Sequence, residues 1–254
     1  MIDQAPIAIP LPLQHPPSFW LARIRVIAGA SVHRCGRGQI LIREGDRPSC
    51  FWVIQRGAVA LTSTAPSGPR ATLAVLGRGG AFGEQGLHRP FEICGPQNVA
   101  LLLEARTLAS TTLQAVPFSE LHTAMAADRE LAWWVAAAVG RRAAWVERAL
   151  ARTLMLRVPL RVLGVLRDLA DDHGKRCPDG VRIELSLSQD LLASMVGASR
   201  ESVNRAIAEL QRRGLVRRIG LLYVLSWPAP DPLDWPPLPA PSGSSSSTFA
   251  GGPS

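Results

Sequence analysis

Residues 187–215, LSQDLLASMVGASRESVNRAIAELQRRGL, admit very few folds. Ser188 stands before an apolar-periodic run in which Leu191, Leu192 and Met195 or Val196 share one face. A serine hydroxyl there can accept from the free amides of the next turn, a common way to start a helix. Gly197 supplies the left-handed backbone position that a sharp helix stop favours. Ser199 repeats the capping signal, and Val203, Ile207 and Leu210 follow at i, i+4 and i+7, the spacing of one buried stripe. Gly214 closes the second helix. The stretch reads as two short helices joined by a tight turn.

The stripe leaves Arg200, Glu201, Asn204 and Arg205 facing outward on the first turns of the second helix. A helix-turn-helix pushes that end of its second helix into the major groove. There arginine donates two bonds to guanine O6 and N7, and glutamate accepts from cytosine N4. Six arginines (200, 205, 212, 213, 217, 218) face two glutamates (201, 209) over residues 200–218, an excess suited to phosphate contact. A solvated basic hairpin is the plainer alternative, but caps, glycine turn, stripe and charge agree on an element that reads DNA.

The run MVGASRESVNRAIAELQRRGLV resembles the recognition segment of the CRP/FNR bacterial transcription regulators, whose pattern G-x-S-R-E-[ST]-V-x-R it matches from Gly197 to Arg205. LIREGDRPSCFWVIQRGAVALT and GRGGAFGEQGL upstream look like that family's cyclic-nucleotide-binding-type β-roll, so the likeness spans about residues 19–227. It implies an α+β chain with a β-roll sensor over 19–125, a dimerisation helix over 126–156 and a winged helix-turn-helix over 157–227; composition adds a Pro-rich arm over 1–18 and a tail over 228–254. It also implies a homodimer on palindromic double-stranded DNA. Arg200, Glu201 and Arg205 would then carry base readout, with Ser202 and Asn204 beside them. Ser188, Ser199, Arg212 and Arg213 would touch phosphates or cap helices.

Composition is consistent with this. The formal charge of +8 favours an acidic polymer as partner, and Lys175 is the only lysine among 28 basic residues. A cytoplasmic protein is expected: the first sixteen residues carry four prolines and lack a basic start and an apolar core. The apolar run 131–140 is too short to span a bilayer. The four cysteines (35, 50, 94, 177) are scattered, with no C-x-x-C pair, so free thiols are expected.

Upstream of the helix-turn-helix, short apolar alternations punctuated by glycine predict strands at 40–42, 51–54, 59–61 and 72–76. Turns are expected at 44–46, 56–57, 66–69 and 77–80. An alternating pattern from Ala105 to Ala115 gives the last strands of the roll. Helices are expected at 19–26, 118–125, 128–156 and 158–169. In the long one Leu131, Val135, Ala138 or Val139, Val146 and Ala149 or Leu150 form a seam that Arg142 interrupts, read as a two-fold dimer contact. Residues 171–180 read as a polar loop. Val181–Ile183 and Leu221–Leu225 read as strands of the wing, and the Pro/Ser/Gly-rich stretch after 228 is expected to be disordered.

The family's nucleotide pocket pairs a G-E-x-[GS]-L turn with an Arg-Ser or Arg-Thr pair about ten residues on. The turn is present as Gly83, Glu84, Gln85, Gly86 and Leu87. Counting forward from Glu84 gives Cys94, and counting back from Leu113 gives Leu101-Leu102, so the phosphate-holding arginine is missing from its place. Arg89 and Arg106 are the nearest substitutes. A phosphate pocket without its cation is costly, so the expectation is a degenerate cyclic-nucleotide site with an unassigned effector. No cysteine cluster for an iron–sulfur centre occurs, and His33 and His88 are the candidate haem ligands.

An enzyme is not expected: the histidines (15, 33, 88, 122, 173) are scattered and no Walker loop, G-x-S-x-G or H-E-x-x-H occurs. The remaining alternative is a ligand-binding or interaction module without specific DNA readout. Activation would need an RNA polymerase-contacting surface, which the residues do not single out.

Overall fold

The computed structural model describes residues 17–46, 48–64, 70–85 and 103–226. Helix α1 (Pro17–Arg25) precedes eight strands: β1 (Ser31–Cys35), β2 (Ile40–Ile42), β3 (Cys50–Arg56), β4 (Val59–Thr64), β5 (Arg70–Leu76), β6 (Ala81–Phe82), β7 (Glu104–Thr107) and β8 (Thr111–Pro117). They form two four-stranded antiparallel sheets, ordered β1-β8-β3-β6 and β2-β7-β4-β5. Ile54, Val59, Leu61, Phe82, Ala105 and Leu113 are buried in the roll they enclose. Gly57 makes the β3–β4 turn at φ 95°, and a Cβ there would lie 2.6 Å from the Ser110 carbonyl oxygen. Only glycine fits that turn.

Three helices follow: α2 (Phe118–Ala127), α3 (Arg129–Met155) and α4 (Val158–His173). The α3 start is fixed by Asp128, whose side chain accepts from the Leu131 amide. A second apolar cluster forms where α1 is held between the roll and α3: Trp20, Leu21 and Ile24 meet Phe51, Val53, Val116, Leu131, Trp134 and Val135. Arg23 of α1 bridges Asp128 and Glu130.

The seam read along α3 is therefore two stripes. Leu131, Trp134, Val135, Ala138 and Trp145 are buried within the chain, whereas Trp133, Val146, Leu150, Leu154 and Met155 are exposed. Arg142 does not interrupt an intermolecular seam; it points at the roll and pairs with Glu84. A 3.6-residue period marks which positions are apolar and not what each of them packs against.

Helices α4, α5 (Gln189–Val196) and α6 (Arg200–Arg212) pack over a sheet ordered β11-β12-β10-β9, built from β9 (Gly174–Cys177), β10 (Gly180–Ile183), β11 (Val216–Ile219) and β12 (Leu222–Leu225). This corrects the polar loop read at 171–180. Its first residues extend α4, and GKRC forms an edge strand held by pairing to β10. These residues are almost wholly exposed, so no apolar alternation marks them. No helix of the described residues is long and apolar enough to cross a membrane.

The α3–α4 junction rests on one buried ion pair. Arg152 donates from both terminal nitrogens to the Asp168 carboxylate at 2.6 and 3.0 Å, and Arg148 lies 3.7 Å from the same carboxylate. Gly164 clears the space, since a Cβ there would sit 2.6 Å from Arg152 Nε. The C-terminal unit also touches the roll directly. Thr72 of β5 and Ser194 of α5 share a hydroxyl hydrogen bond of 2.7 Å. His173, at the end of α4, lies where a Cβ on Gly77 would meet its ring at 2.6 Å.

Candidate nucleic-acid interface and sensor pocket

The helix-turn-helix is built by local signals that act as read. Ser188 accepts from the Leu191 amide at 3.1 Å and Ser199 from the Ser202 amide at 3.1 Å. Each cap is worth about 1 kcal/mol. Gly197 ends α5 in the left-handed region at φ 62°, and Gly214 follows α6 at φ 70°. Both serine hydroxyls are thus engaged in capping.

Helix α6 buries Val203, Ala206, Ile207 and Leu210. Its other side carries Arg200, Glu201, Asn204 and Arg205, all exposed, with Ser202 half-buried between them. The outward groups are held without being consumed. Arg200 donates to the Gln189 side chain at 3.3 Å and Arg205 to the Ser202 hydroxyl at 3.2 Å. Arg200 also lies 3.9 Å from the Asp190 carboxylate, an exposed pair, and these weak contacts orient two guanidiniums and leave most of their donors free. Among the described residues Arg212 has no ion-pair partner, while Arg213 is tied to Glu209 at 2.7 Å.

Basic residues beyond the recognition helix extend the surface. Arg217 on β11 donates to Asp179 at 2.5 Å, in the β9–β10 turn, and Arg218 donates to the Gly220 carbonyl at 2.8 Å. Lys175 and Arg176 are exposed on β9, one of the strands, with β1, β6 and β11, that the sequence reading does not name.

In the roll, Gly83 has φ 91°, and a Cβ there would meet the Cys50 carbonyl oxygen at 2.8 Å. That geometry explains the glycine without a ligand. Glu84 is 6% exposed, and both of its oxygens accept from the two terminal nitrogens of Arg142 on α3, one of them at 2.6 Å. The arrangement is a bidentate guanidinium–carboxylate fork that ties the turn to the long helix. Each oxygen keeps one lone pair, but the charge of Glu84 is already balanced. Gln85 is half-buried beside it, whereas Gly86, Leu87, His88 and Arg89 lie outside the described residues, as does Cys94.

Arg106 does not serve as the missing phosphate ligand. Along β7 Ala105 and Thr107 point inward and Glu104 and Arg106 outward. Arg106 donates to Glu104 at 2.9 Å and to the Gly38 carbonyl at 3.1 Å. Alternation alone could have placed it outside. His33, the other candidate haem ligand, is exposed, shares a hydrogen bond of 2.9 Å with Ser31 and meets the Trp52 ring edge-on. Cys35, Cys50 and Cys177 are free thiols, and burial pushes the Cys35 pKa upward. No group of three or more potential metal ligands occurs among the described residues.

Two family models match. A cyclic nucleotide-binding domain covers residues 32–126 and a Crp-like helix-turn-helix domain residues 160–229. A CRP-like cAMP-activated global transcriptional regulator of Mycobacterium tuberculosis is 28% identical over 190 residues, covering 75% of this chain and 81% of the relative. A global nitrogen regulator of Synechococcus elongatus is 26% identical over 180 residues, covering 71% and 78%. Among solved structures, the c-di-GMP responsive global regulator CLP of Xanthomonas campestris superposes with a TM-score of 0.65 at 22% identity, over 82% of this chain and 99% of that one. A CRP-family transcriptional regulator of Thermus thermophilus gives 0.62 at 22% identity, over 76% and 91%. At these identities the structural likenesses speak to the fold.

Proposed function

The chain belongs to the CRP/FNR family of transcription regulators and is a DNA-binding regulator of that kind; on that premise we propose that it acts as a homodimer reading a palindromic duplex through α6. The observation that carries the reading is the first half of α6. A serine-capped helix buries its whole apolar stripe and turns Arg200, Glu201, Asn204 and Arg205 to solvent. Arg200 and Arg205 read guanine edges, Glu201 accepts from a cytosine amine, and Asn204 lies within the same groove. Arg212, Arg213, Arg217 and Arg218 hold phosphates on either side.

The exposed stripe Val146, Leu150, Leu154 of α3 supports the dimer. These residues, spaced by four, lie on the side away from the roll, and Leu154 is 76% exposed in the single chain. Covering them with a second copy removes that surface from water and sets two recognition helices about one DNA turn apart. The protein acts in the cytoplasm, with residues 19–125 sensing, 126–156 dimerising and 157–227 binding DNA.

Cyclic AMP need not act here as it does on the activated relatives. Glu84 is already paired with Arg142, and Arg106 faces out of the roll. The test of the readout is Arg205→Ala in a titration of specific and random duplexes. Specific affinity is expected to fall by about 1–3 kcal/mol while random-duplex affinity persists. Equal losses on both duplexes would remove Arg205 from base recognition.

A further inference from the structure

A groove of about 540 Å³ lies outside the Gly83–Glu84 turn, between the β5–β6 turn, the middle of α3 and the end of α4. Its volume falls in the range of small-molecule sites. Neither Gly83 nor Glu84 lines it. Arg78, Arg141 and Arg148 do, together with Trp134, Trp145 and Asp172.

The charge of this groove is unbalanced. Arg148 reaches only Asp168, at 3.7 Å, and that carboxylate is already bidentate with Arg152. Among the described residues no carboxylate lies within ion-pair distance of Arg78 or Arg141. Asp172 is the single acid in the wall. Leaving aside Arg142, which Glu84 neutralises, three guanidiniums therefore face one carboxylate. Guanidiniums in that arrangement suit phosphate oxygens, which they hold in pairs.

Arg142, which Glu84 holds, also lines the groove, and the remaining side chains are indole or small and apolar. The Gly77-Arg78-Gly79-Gly80 turn contributes backbone in place of bulk. A Cβ on Gly80 would meet Leu76 at 3.0 Å, and one on Gly79 would meet Pro17 at 3.0 Å. An inorganic anion would leave this surface unused, whereas a planar base attached to phosphate covers both parts. At about 100° per residue, Arg141, Trp145 and Arg148 centre on nearly the opposite side of α3 from Val146, Leu150 and Leu154. A dimer on that stripe leaves the groove open.

We propose that this groove is the effector site, taking a phosphate-bearing nucleotide between Arg78, Arg141 and Arg148, apart from the roll's own Glu84 turn. It deepens the regulator reading, and its position suits control. The three elements that form it fix how the helix-turn-helix sits on the roll, because His173 follows Asp172 directly and lies over Gly77. A ligand bridging the turn, α3 and α4 changes the stability of that docking.

The test is calorimetric titration of the full-length protein with cyclic AMP, cyclic di-GMP, ATP and inorganic phosphate, with no DNA present. Leaving DNA out keeps failure of this site distinguishable from failure of the regulator reading. At least one nucleotide is expected to bind at micromolar concentration, and phosphate at least tenfold more weakly. Arg78→Ala/Arg141→Ala should weaken the nucleotide at least tenfold with an unchanged melting temperature, while Arg89→Ala leaves the affinity as it was. If the double variant melts early, Arg78→Glu alone serves, on an exposed turn residue. Binding lost in Arg89→Ala and kept in the arginine variants would place the ligand in the roll and overturn the proposal. So would the absence of binding by all three nucleotides.

Discussion

Breaking the Arg152–Asp168 pair should reveal how the helix-turn-helix is anchored to α3. The side chains are 3% and 7% exposed, so removing one partner strands a charge in the interior. Such losses are about 3–5 kcal/mol. The structure predicts which variant falls at which end. Arg152→Met leaves Asp168 with Arg148 only 3.7 Å away, a cation able to move in, so the loss should lie near the lower bound. Asp168→Ala leaves Arg152 with no carboxylate and with an Nε that already has no partner, so its loss should lie near the upper bound. The double variant strands neither charge and should lose less than the sum of the two, with a coupling of about 2–3 kcal/mol. Urea unfolding at fixed protein concentration, followed by tryptophan fluorescence, measures all four proteins. Single-variant losses below about 1 kcal/mol, or additive effects, would refute the reasoning, because a pair worth so little behaves as a surface pair.

Three further outcomes are expected. Leu150→Asp/Leu154→Asp should convert the protein to a monomer by sedimentation and reduce affinity for a two-half-site duplex at least tenfold, while a single half-site is bound as before. Arg212→Ala should weaken all duplexes alike and lower the salt slope by about one, measured by titration at several salt concentrations. Acid should loosen the contact of α4 with β5. Burial holds the His173 pKa below its ordinary 6.5, opposed by a hydrogen bond with the Val75 backbone. Its contribution is complete above 6.5 and declines as pH falls through the depressed value. Asp171 and Asp172 are shifted upward by burial and act in the opposite sense. The difference between wild type and His173→Gln in thermal melts from pH 7.5 to 5 isolates the histidine, and a difference that does not change with pH would contradict this assignment.

The helix-turn-helix was the most legible part because its signals are local. Ser188, Gly197, Ser199 and Gly214 each act within a few residues, and the stripe Val203, Ile207, Leu210 needs no distant partner. Most roll strands were legible in position, as Ile40–Ile42 shows, but β1, whose first four residues are exposed, and the two-residue β6 were not. Strand β9 was hidden because GKRC is held by hydrogen bonds to β10 and carries no apolar signal. The Glu84–Arg142 pair was hidden for a different reason. Its members lie 58 positions apart, and Arg142 looked like a flaw in an apolar seam until the roll supplied its partner. The groove of arginines and tryptophans was invisible on the same ground, since Arg78 and Arg141 come together only when α3 crosses the β5–β6 turn.

The central claim is that two copies of α6 read an inverted repeat. The direct measurement is selection from random duplex DNA with the full-length protein, followed by sequencing, with and without cyclic AMP. Enrichment of a palindrome whose half-sites lie about one helical turn apart is expected in both samples, because Glu84 is already paired. A single unrepeated motif, or no enrichment in either sample, would contradict it.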